Sequence, residues 1–260
     1  MMPISQRLHY RRAGNGAPLV LVHGFLGGSR IWSDQFERLG SRRDVIAPDL
    51  AGFGESCRLH APDSIRGHAD QVLGLLDELG IGTFDLLGHS MGGMVAQQMA
   101  LAAPERVSRL VLYGTGPSGL LKERFESTDA TRERIQRDGV AATAARIAAT
   151  WFIQGASAPR FAECSANGAR ASMQAALASL QAWEEWDVCD QFRRLHMPTL
   201  VLWGEKDRSV SWSQTESLWR GIEHSSLAVV PGCAHNLHLE KPDLFHALLE
   251  DFLSGESFHQ

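Results

Sequence analysis

The sequence has little of what marks several large classes of protein. Its cysteines are few and widely spaced, without the paired motifs of a zinc site or a disulfide framework, and this favours a reducing compartment. They are Cys57, Cys164, Cys189 and Cys233. No segment approaches the apolar length that spans a bilayer, and the first residues lack a secretory pattern. We therefore expect a cytoplasmic protein with no membrane partner.

An excess of basic residues is also missing. The 260 residues include 25 Lys and Arg against 30 Asp and Glu, a net charge of -5 at pH 7, and no local basic run offsets this balance. Nucleic acid is therefore not an expected partner. The length suffices for one α/β domain, with or without an insertion.

A strand, a sharp turn and a helix are predicted around Ser90. Residues 84–87 are mostly apolar, as is typical of a buried strand, and residues 94–103 form an alanine-rich run typical of a helix. The pentapeptide Gly-His-Ser-Met-Gly joins them, and its glycines leave room for the backbone on both sides of the serine. The pattern predicts a nucleophile elbow that presents Ser90 at the carboxyl edge of a sheet.

A glycine-rich loop, His-Gly-Phe-Leu-Gly-Gly, follows the apolar run of residues 19–22. We predict that the amide of Phe25, together with that of Met91, forms an oxyanion hole, and the alternative is a plain loop. We expect the side chain of His23 to shape this loop. The glycines after Asp49 lack the third glycine of a dinucleotide fingerprint, so we expect Asp49 to order its own loop.

Strand and helix patterns alternate along most of the chain, which predicts an α/β fold with a mostly parallel, doubly wound sheet. An antiparallel edge strand is expected over residues 8–12, and helices over 33–39, 64–79 and 242–253. Between residues 117 and 194 the pattern is helical, notably over 131–152 and 159–186, and too long for an ordinary crossover. We predict a helical cap at 117–194 on a core domain of 1–116 and 195–260.

A substrate pocket is expected where this cap faces the sheet edge. The alternative for the cap aromatics is that they only pack the cap together. The predicted lining residues are Leu26, His89, Trp151, Trp183, Trp186 and His238.

A serine hydroxyl is a weak nucleophile that needs a base, and the base needs a carboxylate to orient it. Asp207 and His235 each follow a predicted strand, and the chain order Ser, Asp, His is that of one known arrangement of this triad. We predict Ser90, Asp207 and His235 as catalytic residues. The rival acids are Glu205 and Asp187, and the rival base is His238.

Five motifs in order resemble the α/β-hydrolase superfamily. They are His-Gly-Phe at 23–25, Asp-Leu-Ala-Gly-Phe-Gly-Glu-Ser at 49–56, Gly-His-Ser-Met-Gly-Gly at 88–93, Gly-Glu-Lys-Asp at 204–207, and Gly-Cys-Ala-His at 232–235 with Glu-Lys-Pro at 240–242. The layout is similar to small bacterial carboxylesterases, the methyl esterase of biotin synthesis, enol-lactonases and C–C bond hydrolases of aromatic degradation. The resemblance implies this triad and oxyanion hole, with no cofactor and no metal.

At two places the sequence differs from particular groups within this superfamily, which makes membership of those groups less favoured. Haloalkane dehalogenases and epoxide hydrolases have Asp as nucleophile, where this chain has Ser90. Many C–C hydrolases have Asn before the nucleophile and a Gly-Pro-Gly oxyanion loop, where this chain has His89 and Phe-Leu-Gly-Gly at 25–28.

We therefore predict a serine hydrolase that cleaves carboxylic esters of small, largely apolar substrates through an acyl-enzyme. The alternatives are a lactonase, a C–C bond hydrolase of a ketone-containing substrate, or a ligand-binding signalling protein on the same fold. The oligomeric state stays open.

Overall fold

The computed structural model of the chain describes residues 7–119 and 123–255. Within them, seven strands form one sheet in the order β1-β3-β2-β4-β5-β6-β7. The strands are β1 (Tyr10–Ala13), β2 (Ala17–Val22), β3 (Arg43–Pro48), β4 (Phe84–His89), β5 (Val107–Tyr113), β6 (Thr199–Gly204) and β7 (Ser225–Val230). Only β1 runs antiparallel to its neighbour. The predicted α/β class with a mostly parallel sheet is confirmed.

Helices cover both faces of this sheet. They are α1 (Ser33–Leu39), α2 (Ile65–Glu78), α3 (Met91–Ala102), α4 (Thr128–Thr150), α5 (Phe161–Gly168), α6 (Met173–Glu184), α7 (Trp212–Gly221), α8 (Leu237–Glu240) and α9 (Pro242–Ser254). Alternate residues of β2 belong to two separate cores: Leu19 and Leu21 pack in one core with residues of α1 and α9, and Val20 and Val22 in the other with residues of α2 and α3. This alternation explains the continuous apolar run in the sequence.

Local signals in the sequence mark the ends of several elements. The Ser64 hydroxyl accepts a hydrogen bond from the Gly67 amide and so caps α2, and Gly80, with φ 70°, follows its last turn. Pro242 occupies the first turn of α9. Both α2 and α9 begin and end within one residue of the bounds predicted for them, 64–79 and 242–253. Strand β1 begins at Tyr10, two residues later than predicted.

The helices α4, α5 and α6 lie between β5 and β6 in the chain. The single predicted helical stretch over residues 159–186 is wrong, since α5 ends at Gly168 and Ser172 caps a new helix, α6. The long helix α4 is interrupted at Gly139, whose φ of 83° and ψ of 168° are not helical. The cap bounds at 117 and 194 stay a prediction. None of the helices in the described part of the chain has the length and apolar character needed to cross a membrane.

The buried His68 on α2 should make the stability of the folded chain sensitive to acid. It is buried, neither ring nitrogen has a hydrogen-bond partner among the described residues, and burial lowers its pKa from 6.5 to about 4. As the pH falls below 6.5, His68 becomes protonated in the unfolded chain but stays neutral in the folded chain. The free energy of unfolding therefore decreases. We expect His68→Leu to remove about 2 kcal/mol of the loss in unfolding free energy between pH 7 and pH 5.

Urea denaturation at the two pH values measures this difference, with exposed His196→Gln as the control that keeps the acid sensitivity of the parent. An equal loss in His68→Leu and in the parent would contradict the assignment.

Candidate active site

Ser90 occupies the turn between β4 and α3. Its φ of 56° and ψ of -123° lie where residues other than glycine are rare, a strain of about 1–3 kcal/mol that the surroundings must hold. A Cβ atom at Gly88 would overlap the carbonyl group of Gly92, and one at Gly92 would overlap the carbonyl oxygen of Val22. Both glycines are therefore required for the strand and the helix to meet this closely.

His235 and Asp207 form a buried pair at the same edge of the sheet. Nδ1 of His235 lies 2.7 Å from Oδ2 of Asp207, and Oδ1 accepts hydrogen bonds from the amides of Ser209 (2.7 Å) and Val210 (3.1 Å). Because a carboxylate only accepts, the proton of neutral His235 lies on Nδ1. The other nitrogen, Nε2, is then able to take a proton from a nucleophile.

The rival acids have other partners. Glu205 accepts a hydrogen bond from the Gly232 amide (3.0 Å) and pairs with Lys206, and its side chain is exposed. Asp187 accepts a hydrogen bond from the Cys189 amide at 2.9 Å. Of the three predicted candidates, Asp207 alone contacts His235.

The loop after β2 lies against the elbow. A Cβ atom at Gly24 would lie 2.8 Å from Cβ of Ser90, so a side chain there would push the loop away. Nδ1 of His23 donates to the Gly24 carbonyl (2.8 Å), and Nε2 accepts from the Leu50 amide (2.9 Å), which is the loop-shaping role expected for this histidine. Burial lowers the pKa of His23 and so favours this neutral form.

Two backbone amides at this cavity, those of Phe25 and Met91, lack an acceptor among the described residues. Neither the Phe25 nor the Met91 N–H donates to any group in the described residues, although both residues are buried. Buried amides normally have acceptors, and unmatched ones are a feature of sites that bind an oxyanion.

These groups lie around one cavity. It is lined mostly by apolar side chains. The lining residues are Gly24, Phe25, Leu26, Gly27, Ile31, His89, Ser90, Met91, Met94, Arg124, Ile147, Trp151, Cys164, Trp183, Ser209, Val210, His235 and Asn236.

Of the predicted pocket residues, Leu26, His89, Trp151 and Trp183 line this cavity. Trp186 and His238 are not among the described residues that line it. Trp186 follows the end of α6 and packs into the larger core. His238 lies on α8 and is fully buried, with its ring 4.8 Å from that of Trp32.

Several lining residues escaped prediction from sequence. Asn236 had a signal, because it directly follows the predicted base. Arg124, Ile147 and Cys164 come from the helical segment between β5 and β6, where residues distant along the chain converge.

A histidine and tyrosine cluster holds the His235 loop from behind. The Tyr113 hydroxyl donates to the His235 carbonyl oxygen at 2.8 Å, and Nε2 of His89 donates to the same oxygen at 3.2 Å. The Tyr113 hydroxyl also accepts from Nδ1 of His238 at 3.1 Å. Burial and the charges of nearby histidines lower the pKa of His89 well below its ordinary value, so no second cation forms against His235.

We expect Tyr113→Phe to lower kcat about tenfold with little change in KM, because the His235 loop loses its hydroxyl donor. The same change should cost about 1–2 kcal/mol of stability. Steady-state kinetics with a 4-nitrophenyl ester and chemical denaturation measure the two effects. Tyr10→Phe, at the only other tyrosine, is the control. A loss of stability with unchanged kcat would show that the Tyr113 hydroxyl supports folding and not catalysis.

Within residues 7–119 and 123–255, no three His, Cys, Asp or Glu side chains are grouped closely enough to hold a metal ion.

Comparisons with known proteins agree with this geometry. The family model described as the alpha/beta hydrolase fold matches residues 17–242. The 2-hydroxy-6-oxo-6-phenylhexa-2,4-dienoate hydrolase of Comamonas testosteroni is 32% identical to the chain over 271 aligned residues, covering 95% of this chain and 91% of that protein.

Two solved structures superpose closely. A thermophilic esterase from Thermogutta terrifontis, solved with malate bound, has a TM-score of 0.83 and 29% identity, over 95% of this chain and 93% of that chain. The enol-lactonase of Burkholderia xenovorans LB400 shares the fold, with a TM-score of 0.86 at 23% identity over 95% and 96% of the two chains.

Proposed function

Because the chain belongs to the α/β-hydrolase family, we propose that this hydrolase cleaves carboxylic esters, open-chain or cyclic, through an acyl intermediate on Ser90. The supporting observation is the arrangement around one cavity. Ser90 and His235 both line it, and Asp207 holds His235 in the tautomer that accepts a proton. Phe25 and Met91, whose amides have no acceptor among the described residues, line it as well.

In the first half-reaction, the Ser90 oxygen attacks the ester carbonyl carbon while Nε2 of His235 takes the hydroxyl proton. Asp207 stabilises the imidazolium that forms. The carbonyl oxygen becomes an oxyanion, which the amides of Phe25 and Met91 bind. The tetrahedral intermediate then collapses, the C–O bond breaks, and the imidazolium gives its proton to the leaving alcohol.

In the second half-reaction, water attacks the acyl group on Ser90 and His235 takes one of its protons. Collapse releases the carboxylic acid and returns the proton to the serine oxygen. For a lactone the alcohol and the acid stay in one molecule, so the product is a single hydroxy acid.

The cavity has the character of a small-molecule site, because its lining is mostly apolar and includes a few polar groups. The aromatic side chains of Phe25, Trp151 and Trp183 are part of this lining. Such a wall favours substrates with apolar groups on either side of the reacting carbonyl.

The second candidate is hydrolysis of a C–C bond beside a ketone, and the sequence relatives favour it. Besides the Comamonas hydrolase, a 2-hydroxy-6-oxo-2,4-heptadienoate hydrolase of Pseudomonas putida is 31% identical over 97% of this chain. In this reaction the leaving group is a carbon, which must gain a proton as the bond to the carbonyl breaks. The oxyanion amides and His235 serve this chemistry too.

Product analysis separates the two candidates. The purified protein is incubated in parallel with 4-nitrophenyl butyrate, a δ-lactone and a 2-hydroxy-6-oxo-dienoate, and the products are identified by mass spectrometry. We expect acid plus alcohol from the ester, hydroxy acid from the lactone, and a transient acyl mass on the Ser90 peptide. Turnover of the dienoate alone would replace the ester proposal with the C–C one, and an acyl mass on another residue would overturn the role of Ser90.

A further inference from the structure

One charged side chain lies in the wall of the cavity beside Ser90. Among the described residues that line it, Arg124 alone carries a permanent charge, since no Asp, Glu or Lys is present in the lining. Arg124 lies shortly before α4 and is half-buried. A single cation in a largely apolar cavity requires an explanation, because burial of a charge is costly.

The guanidinium group is held in place from one side. Its Nη1 donates to the Glu126 carbonyl oxygen (2.8 Å) and to the Thr131 hydroxyl (3.1 Å). Its centre lies 4.4 Å from the ring centroid of Phe125 and 5.3 Å from that of Trp183, which also lines the cavity. The remaining nitrogens, Nε and Nη2, donate to no group in the part of the chain that the structure describes.

No carboxylate of the described residues forms an ion pair with this cation, although the charge of Glu126 raises its pKa from a distance. The side chain of Glu126, the nearest candidate, pairs with Arg134 at 3.3 Å and with Arg146 at 3.4 Å and accepts from the Thr131 hydroxyl at 2.9 Å. Burial lowers the pKa of Arg124 to about 10, so the group stays a cation at neutral pH. The protein thus holds a charged group with unused donors at the cavity wall.

We propose that Arg124 binds a carboxylate group of the substrate, so that the substrate is an ester or lactone that carries a second, ionised carboxyl group. The planar guanidinium matches a carboxylate through two parallel hydrogen bonds. Among the described lining residues there is no second permanent cation, which suits a monoanion better than a doubly charged phosphate. The inference rests on the proposed function, because Ser90 supplies the reacting end of the same cavity.

Matched esters test this assignment. The 4-nitrophenyl monoesters of succinic, glutaric and adipic acid are compared with neutral 4-nitrophenyl esters in which an isopropyl group replaces the free carboxylate. We expect the wild-type enzyme to have the higher kcat/KM for the acid at one or more chain lengths. In Arg124→Gln the ratio of acid to neutral kcat/KM should fall by about tenfold or more, chiefly through KM, and Arg124→Lys should restore part of it.

Arg137→Gln is the matched control, because Arg137 is exposed on α4 and pairs with Asp138 outside the cavity. It should keep the wild-type ratio. Ser90-dependent turnover of neutral esters with no preference for the acid at any length would overturn the role of Arg124 and leave the proposed function standing. An unchanged ratio in Arg124→Gln with lower thermal stability would make the residue structural.

Calorimetry makes the test independent of turnover. Binding of 4-phenylbutyrate to the wild-type protein is compared with binding of 4-phenylbutyramide, neither of which has an ester to cleave. We expect the acid to bind about tenfold more tightly or better, and Arg124→Gln to abolish the difference. Equal affinities would contradict the inference, whereas a lack of esterase activity with a clear preference for the acid would contradict only the proposed reaction.

Discussion

Replacing Ser90 with alanine is expected to lower kcat for a 4-nitrophenyl ester by on the order of 10⁵-fold. In the proposed reaction the hydroxyl oxygen forms the acyl bond, and a water molecule in its place would lack the fixed position and orientation of the serine oxygen. The remaining activity comes from the oxyanion amides and substrate binding alone. Steady-state kinetics and loss of the acyl mass on the Ser90 peptide measure the effect.

The fold should tolerate this change. Alanine keeps the Cβ atom, so the strain at φ 56° stays and the midpoint of thermal unfolding should stay close to that of the parent. Ser90→Gly should also be inactive, but about 1 kcal/mol more stable, because glycine adopts this conformation without strain. Ser209→Ala, at the other serine of the cavity, should retain activity within about tenfold. Full activity of Ser90→Ala in a folded protein would remove the basis of the proposed function.

The elbow shows why part of the site was predictable. A strand that turns directly into a helix requires small residues at fixed positions, and Gly88 and Gly92 meet this need through contacts with backbone atoms that any sequence would have. The sequence spacing therefore carries the local geometry. The prediction placed the turn correctly, although α3 begins at Met91, earlier than the alanine-rich run indicated.

The wall of the cavity was harder to predict, because it depends on how separate helices meet. Gly168, where α5 ends, and Ser172, which caps α6, are residues typical of helix ends. The alanine-rich composition around them nevertheless favoured one continuous helix. Trp183 and Trp186 both pack into the larger core, but only Trp183 also lines the cavity, and α6 ends between the two. Arg124 carries no motif, and only its convergence with Trp183 at the cavity distinguishes it from the other arginines.

The position before the nucleophile illustrates how one residue serves two purposes. His89 lines the cavity, and its ring lies 4.4 Å from that of Tyr113 and 4.6 Å from that of His235. Its Nε2 proton supports the His235 carbonyl oxygen from β4, while the Tyr113 hydroxyl supports the same oxygen from β5. Two neighbouring strands thus hold the His235 loop in place, which the sequence pattern alone did not indicate.

Replacing Asp207 with asparagine is expected to lower kcat by about 10³- to 10⁴-fold with little loss of stability. Asparagine has the same shape, and its oxygen can still accept from the amides of Ser209 and Val210. Its NH₂ group, however, would face Nδ1 of His235 and favour the tautomer that carries the proton on Nε2. That tautomer cannot take a proton from Ser90, and the imidazolium would have lost its counter-charge.

Glu205→Gln is the control that separates this role from general loss of negative charge at the loop. Glu205 lies two residues from Asp207, but its exposed carboxylate contacts Lys206 and the Gly232 amide, not His235. We expect its kcat to stay within about threefold of the parent, since exposed ion pairs contribute little. Steady-state kinetics measures kcat, and chemical denaturation monitors folding. Comparable losses of kcat in the two variants would show that the effect comes from loss of negative charge near the loop and not from the contact with His235. A loss of kcat confined to Asp207→Asn would show that activity depends on the Asp207 carboxylate, which lies 2.7 Å from Nδ1 of His235.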